Sequence, residues 1–361
     1  MSEFKLTDNE IKTLCTAGGY APSGGNVQPW KVEITDRCVM GLVLDNLRSS
    51  SFLDFENYAS MLALGAFAEN VLIAADTFGL TYNGPEYKEI IRAKPHIEIR
   101  FNRKVEVKDK HPLYSAIKNR VTNRKMYDGT KIDEENINKL KNLTEEGGSY
   151  SLKTVHKESE KKKVADILGK ADGIRTYHKE LFKQMLSEIR WNAKEVKKTK
   201  DGIDIETLEF PALVIKMLGL MKKHPAIINT FPRKVFEDQA KPVLIASSHL
   251  CIFSTNSKPN REVMFEFGRV LERVWLTATD MGLAFHPWTV LPFFLIRVNY
   301  FKGEGFNPEE IKILKILNVE LRKVFGLAND QTPLFFFRLS RAKAPASRSL
   351  RLGWKEFTKV V

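Results

Sequence analysis

The chain has 361 residues, 43% of them apolar and 28% charged, with a formal net charge of +13. That length holds one large domain or two ordinary ones, and the apolar fraction argues against a disordered chain. The lysines concentrate in stretches such as 157–163 and 194–200, where acids are interleaved and no aromatic ladder runs between them, so the charge reads as a solvated surface and not as a nucleic-acid groove.

The opening residues mix charges with single apolar side chains, so neither a secretory leader nor an extracellular location is expected, and the protein is read as cytoplasmic. Cys15, Cys38 and Cys251 are widely spaced, odd in number and form no CxxC pair. They are expected to be buried thiols in a reducing compartment, with no disulfide framework and no metal site. Thr7 and Glu10 have capping-box spacing, and Ile11, Leu14 and Cys15 follow at helical intervals, which predicts a first helix. Next comes Ala21-Pro22-Ser23-Gly24-Gly25-Asn26-Val27-Gln28-Pro29-Trp30. Its paired glycines let backbone approach a flat ligand, and Ser23, Asn26 and Gln28 offer hydrogen bonds along that ligand's edge; an ordinary helix-to-strand turn is the plainer alternative.

Trp30, Val32 and Ile34 alternate with polar residues, and Val39 to Leu44 forms an apolar run; two strands are expected. A long helix follows, with Leu64, Phe67, Val71, Ala74, Ala75 and Phe78 on one face and Gly79 at its end. His96 to Phe101 alternates as a strand. A shift of 203 residues then places Gly65 on Gly268, Glu69 on Glu272, Val71 on Val274, Ala75 on Ala278, Gly79 on Gly282 and Leu80 on Leu283. Ile132 to Leu143 resembles the opening helix, Glu145-Glu146-Gly147-Gly148-Ser149 stands where the glycine loop would fall, and Leu152 to His156 reads as a strand. Two tandem halves are expected, residues 1–110 and 111–361, with an insertion at about 190–241 that has no counterpart in the first half. Within it, the apolar run Phe210 to Met221 is interrupted by Lys216 and is too short to span a bilayer. It is expected to pack on its own protein, the alternative being a basic amphipathic helix at a membrane surface.

In Arg120-Val121-Thr122-Asn123-Arg124, extended geometry turns Arg120, Thr122 and Arg124 to one side, and two guanidinium forks with a hydroxyl suit a phosphate. Phe285-His286-Pro287-Trp288-Thr289 follows the second long helix, and the buried strand Pro333 to Leu339 leads into a basic tail, Ala344 to Arg351. No Walker A motif, Rossmann glycine fingerprint, zinc-ligand spacing or Ser/His/Asp set is present, and no catalytic side chain is named.

The glycine run resembles the flavin loop of the nitroreductase family, Arg120 to Arg124 is similar to that family's Arg-x-Ser/Thr-x-Arg phosphate grip, and the tail resembles its C-terminal segment, where a basic residue closes over the same phosphate. The first half has the complete loop without the arginines, and the second has the arginines with a degenerate loop. The resemblance is therefore closest to the fused, pseudo-dimeric branch of mycobacterial Acg-like proteins. It implies an α+β fold in which two halves form an intramolecular pseudo-dimer, each a mixed sheet flanked by helices, and in which the insertion lids the site. It also implies one composite FMN site per chain, built from Pro22, Ser23, Gly24, Asn26 and Gln28, from Arg120, Thr122 and Arg124, from Pro287 and Trp288, and from Arg348 and Arg351. The implied activity is transfer of electrons from NAD(P)H to a small-molecule acceptor such as a nitroaromatic or quinone, by a monomer needing no nucleic acid and no membrane span. A lidded flavin-storage protein with little turnover is the rival reading, and a basic peripheral protein with a degenerate loop is a second.

Overall fold

A computed structural model of the chain describes residues 4–49, 51–91, 94–145 and 148–361. Helix α1 (Asp8–Gly19) starts at the expected reciprocal capping box between Thr7 and Glu10. After the glycine loop come β1 (Trp30–Thr35), where buried and exposed residues alternate strictly, and β2 (Val39–Leu44). Helix α2 (Tyr58–Thr77) leads to β3 (Leu80–Ile91) and β4 (Lys94–Lys104). Gly79 takes φ +71°, and a Cβ there would lie 2.0 Å from the Val105 carbonyl oxygen, so only glycine ends the helix this way.

The second half opens with α3 (Tyr114–Asn119), α4 (Glu134–Glu145) and β5 (Tyr150–Val155). The degenerate loop between α4 and β5 includes positions 146 and 147, which lie outside the described residues. Then α5 (Glu158–Tyr177) and α6 (Lys179–Glu188) precede the insertion, which holds β6 (Ile189–Arg190), α7 (Ala193–Thr199), β7 (Ile203–Asp204), α8 (Ala212–Lys223) and α9 (Arg233–Gln239). The chain ends through α10 (Lys241–Ala246), β8 (His249–Thr255), α11 (Arg261–Asp280), β9 (Ala284–Pro287), α12 (Val290–Tyr300), α13 (Pro308–Phe325), β10 (Thr332–Ser340), α14 (Trp354–Phe357) and β11 (Thr358–Val360).

The protein is thus α+β, with two larger sheets flanked by helices and a parallel two-stranded sheet, β6-β7, in the insertion. The first sheet has the order β11-β1-β2-β4-β3 and is mixed, because β11 from the end of the chain runs parallel to β1 while the other pairs are antiparallel. The second, β5-β8-β10-β9, is antiparallel throughout. This corrects the expectation of a mixed sheet in each half: the four-stranded sheet has no parallel pair, and the five-stranded one is mixed because the C-terminal tail reaches back to it.

Helix α2 was expected to bury one face. Instead every residue of it except Ala59 and Asp76 is buried. It is long and apolar enough to cross a membrane, yet it lies inside the protein, packed against α1, the first sheet and α11. The two long helices cross at the paired glycines. A Cβ on Gly65 would sit 1.9 Å from the Phe265 carbonyl oxygen, and one on Gly268 would sit 2.1 Å from that of Leu62. Leu62 and Phe265 are themselves 203 positions apart, so the contact is reciprocal under that offset.

Gly65→Ala should lower the unfolding free energy by about 2 kcal/mol or more, because the clash is with backbone and cannot be relieved by a rotamer. Gly219→Ala, where the nearest neighbour is the Trp191 ring at 3.9 Å, should be neutral or slightly stabilising. Urea unfolding of both variants checks the contrast.

Candidate functional site

The first-half loop and the second-half arginines meet at one cavity of about 330 Å³. Pro22, Ser23, Gly24 and Asn26 form one wall, Arg120, Thr122 and Arg124 another, Pro287 and Thr289 a third, and the tail residues Ser347, Arg348, Ser349 and Arg351 the rim. Ten of the sequence-expected positions therefore converge, although Arg120 and Arg351 are 231 residues apart in the chain.

Left-handed backbone shapes the loop: Gly25, Asn26 and Gln28 take φ of +58°, +54° and +53°. The cost of this at two non-glycine residues is offset by side-chain hydrogen bonds. The Gln28 backbone N–H donates to the Ser23 hydroxyl at 3.0 Å. Asn26 Nδ2 donates to the Gly202 and Leu350 carbonyls at 3.0 and 3.1 Å. Gln28 Nε2 donates to the Lys200 carbonyl at 2.8 Å, while its Oε1 accepts from the Leu352 N–H at 2.8 Å. The two amides thus tie the loop to residues 200–202 of the insertion and to the tail. Ile203 and Thr207, on the same stretch of the insertion, line the cavity.

Cations dominate the opposite wall. Arg120 caps the end of α3, lies 3.3 Å from Glu272 of α11, and stacks over the Trp275 ring at 4.7 Å; it also donates to the Tyr20 carbonyl. Arg124 donates to the Thr207 carbonyl at 3.0 Å. Arg348 donates to the carbonyls of Lys118 at 3.0 Å and Arg120 at 3.3 Å, and to that of Asn119. Arg351 has no hydrogen bond or ion pair among the described residues. Burial, together with Arg120, holds its pKa down at about 9, and burial holds Arg124 at about 10. Among the described residues, the carboxylate beside Arg120 is Glu272, which burial pushes up to about 7 against the pull of Arg120. Positive charge is therefore in excess here, and an anion brought to Arg351 would relieve it.

Two expected residues do not reach the cavity. Gln28 is fully buried beneath the loop, its amide consumed by Lys200 and Leu352. Trp288 packs with the helices of the second half and donates Nε1–H to Asp172 at 3.0 Å; its backbone N–H still donates to Phe336 of β10 at 2.7 Å, and alternation sends Pro287 and Trp288 to opposite sides. His286 is half-buried, its Nδ1 accepting from Arg338 at 3.0 Å, and desolvation, with Arg338 and Arg124 nearby, holds its pKa well below the ordinary histidine value. It is neutral and occupied.

Other lining residues escaped sequence reasoning. Trp275 supplies a flat wall, stacked on Phe285 at 4.4 Å, which in turn stacks on Phe337 at 4.1 Å. The Ser347 hydroxyl, Asn26 Oδ1 and Trp275 Nε1 are buried without a hydrogen-bond partner among the described residues. Alternation with Arg351 could have flagged Ser347 and Ser349; nothing local distinguishes Trp275 from core.

No protein-family model matches the chain. An uncharacterized protein of Mycobacterium tuberculosis (strain CDC 1551 / Oshkosh), MT1398, is 25% identical over 335 residues, which is 92% of this chain. The chain spans 46%, about half, of that relative's length. Among solved structures, the FMN-dependent nitroreductase NfnB from Mycobacterium smegmatis in complex with NADPH is 13% identical, covering 69% of this chain and 97% of its own, with a TM-score of 0.39. A nitroreductase-like family protein from Bacillus cereus is 10% identical over 72% of this chain and 98% of its own, at a TM-score of 0.35. Oxidized iodotyrosine deiodinase bound to FMN and 3-iodo-L-tyrosine is 14% identical over 66% and 95%, at 0.35.

Because the Glu272 carboxyl titrates higher in the folded chain than its ordinary 4.5, its contribution to stability is complete below that value and is lost as the pH rises through about 7. Glu272→Gln should flatten the fall in unfolding free energy across that window, as measured by urea titrations at a series of pH values. An unchanged slope would mean that Glu272 stays ionised beside Arg120 throughout.

Proposed function

We propose that the cavity holds flavin mononucleotide and that the chain is an FMN-dependent oxidoreductase, passing electrons from NAD(P)H to a small-molecule acceptor of the nitroaromatic or quinone class. One observation carries this reading: Arg351, flanked by Arg120 and Arg348, has no hydrogen bond or ion pair among the described residues, in a cavity lined also by Trp275 and by the glycine loop. The residues fit the cofactor from end to end. Arg351, Arg348 and the Thr122 and Ser347 hydroxyls would hold the phosphate through charge-assisted hydrogen bonds. Trp275 and Pro287 would bound the ring, and Gly24 and Gly25 let the loop backbone come close to it. When bound, FMN supplies the redox chemistry, accepting a hydride and returning electrons to a second substrate. The protein's part is to place the ring, neutralise the phosphate and exclude water with the insertion and the tail; no side-chain nucleophile is required. The structural neighbours described with FMN and NADPH support the same family of chemistry.

We also read the halves, residues 1–110 and 111–361, as a pseudo-dimer within one chain, with one flavin for the pair. The position related to the site by the repeat is a second cavity of about 550 Å³ lined by Glu262, Glu266, Arg273 and Tyr150. There Arg273 is already bound to Glu69 at 2.8 Å and Arg269 bridges Glu69 and Glu266 at 3.1 and 2.9 Å. Two acids and satisfied cations do not suit a phosphate.

The rival, a flavin-storage protein with little turnover, draws support from the amide ties of Asn26 and Gln28 that hold the insertion against the loop. Visible spectroscopy of the purified protein, with FMN added if none is retained, followed by anaerobic NADPH and NADH, separates the readings. The oxidoreductase gives one flavin per chain and bleaching; a flavin that stays oxidised supports storage, and no flavin uptake overturns both. Arg351→Ala should weaken FMN binding by about tenfold to a hundredfold, read by quenching of flavin fluorescence, whereas Lys153→Ala on the distant strand β5 should leave it unchanged.

A further inference from the structure

Helix α8 is covered on one side only. Of its residues only Met221 is fully buried, and it belongs to a satellite core of Phe182, Leu186, Met221 and Ile228 apart from the two main ones. On the opposite side Leu213, Lys216, Leu220 and Lys223, at spacings of three, four and three, are all exposed, Leu213 and Leu220 at 69% and 49%. Those spacings put the four on one stripe of the helix. The leucines alternate with lysines that have no ion pair among the described residues. From Phe210 to Phe236 the chain holds no aspartate or glutamate, while carrying Lys216, Lys222, Lys223, Arg233 and Lys234. Lys222 lies over the Trp191 ring at 4.8 Å, and Arg233 and Lys234 pair with Glu237 and Asp238 within α9, which leaves Lys216 and Lys223 as the free charges of the stripe.

We propose that this stripe of α8 docks the protein on an anionic lipid surface, the leucines entering the headgroup boundary and Lys216 and Lys223 meeting lipid phosphates. The alternation of apolar and basic groups on one exposed face is what such an interface takes: a bare apolar stripe would suit another protein core, whereas lysines extend their stems along apolar surface and keep the ammonium at the phosphates. An acid-free segment on a chain of net charge +13 is attracted to that surface before contact. Nothing in this proposal requires the flavin. If the cavity does hold one, α8 begins five residues after Thr207 of the cavity wall, so docking would set the covered site beside the bilayer.

Co-sedimentation of the full chain with vesicles tests it. Vesicles of mixed phosphatidylglycerol and phosphatidylcholine should pellet the protein and pure phosphatidylcholine should not, and salt should weaken the binding. Lys216→Ala or Lys223→Ala should each reduce affinity about fivefold, and Leu213→Asp with Leu220→Asp should abolish binding. Ile316→Asp with Val319→Asp, equally exposed on α13, should change nothing. Far-UV circular dichroism confirms that each variant is folded. Failure to pellet with anionic vesicles overturns the proposal. So does equal binding by the α8 leucine variant, which would assign any binding to the overall charge. Self-association of the wild-type chain that the same variant abolishes, without lipid binding, would give the stripe to a second copy.

Discussion

The close crossing of α2 and α11 is the constraint on which everything else in this protein depends. Each helix meets the backbone of the other through a glycine, at approaches that no Cβ tolerates. Near contact of two backbones maximises dispersion along the whole length of both helices. It also fixes the two sheets on either side, and so fixes which loop of one half faces which arginine of the other. The tail then crosses back, placing β11 alongside β1, so the Arg348–Arg351 rim is anchored at its far end by a strand of the first sheet. A site built from residues in the twenties, the 120s and the 340s is held together by this one crossing and one returning strand.

Most of this framework was legible in the sequence because it follows local rules. Capping at Thr7, alternation in β1, and the paired Gly-Leu helix ends gave the elements, and the 203-residue offset paired the glycines at which α2 and α11 meet. The convergence of Pro22 to Asn26 with Arg120 to Arg124 and the tail was legible only through the family resemblance, since no local pattern reports that two segments a hundred residues apart share a cavity. Where the reading missed, the reason is tertiary. Gln28 and Trp288 are polar-tipped side chains in a loop, and their patterns are the same whether the amide or indole faces a ligand or, as here, meets Lys200, Leu352 and Asp172. The one-sided burial expected of α2 failed because amphipathic spacing cannot announce that both faces of a helix will be covered. The antiparallel second sheet could not be foreseen because the C-terminal strand joins only the first.

The 203-residue offset also relates two buried carboxylates with different surroundings. Glu69 and Glu272 are equivalent, but the residue following each differs: Asn70 in the first half, Arg273 in the second. Near Glu272 the neighbouring amide is neutral, and the cation comes from outside the helix pair, as Arg120. Near Glu69 two arginines of α11 close the charge balance within the helices themselves. Two differences at positions related by the offset, Arg269 for Ala66 and Arg273 for Asn70, thus balance the charge around Glu69 and leave the surplus beside Glu272. Burying paired charges around Glu69 brings little net stability, but it does make that side unattractive to a dianion.

The amides of Asn26 and Gln28 invert the role that the loop's chemistry suggests. Polar groups beside paired glycines invite the picture of side chains reaching to a ligand's edge. Here four side-chain hydrogen bonds from these two residues run outward, to residues 200–202 and 350–352. What remains facing the cavity is backbone, the Asn26 oxygen and the proline ring. At about 1 kcal/mol net for each such bond, parting the loop from the insertion and the tail together costs about as much as a large fraction of a domain's stability. The rim formed by Ser347 to Ser349 is held through Arg348 to the carbonyls at the end of α3. Just beyond it Leu350 and Leu352 bond the two amides, and just before it the Ala346 N–H donates to Glu209 of the insertion at 3.1 Å. Loop, insertion and tail are thereby tied to one another around the cavity, so the amides serve to assemble its lining and leave recognition of any ligand to the backbone and the arginines.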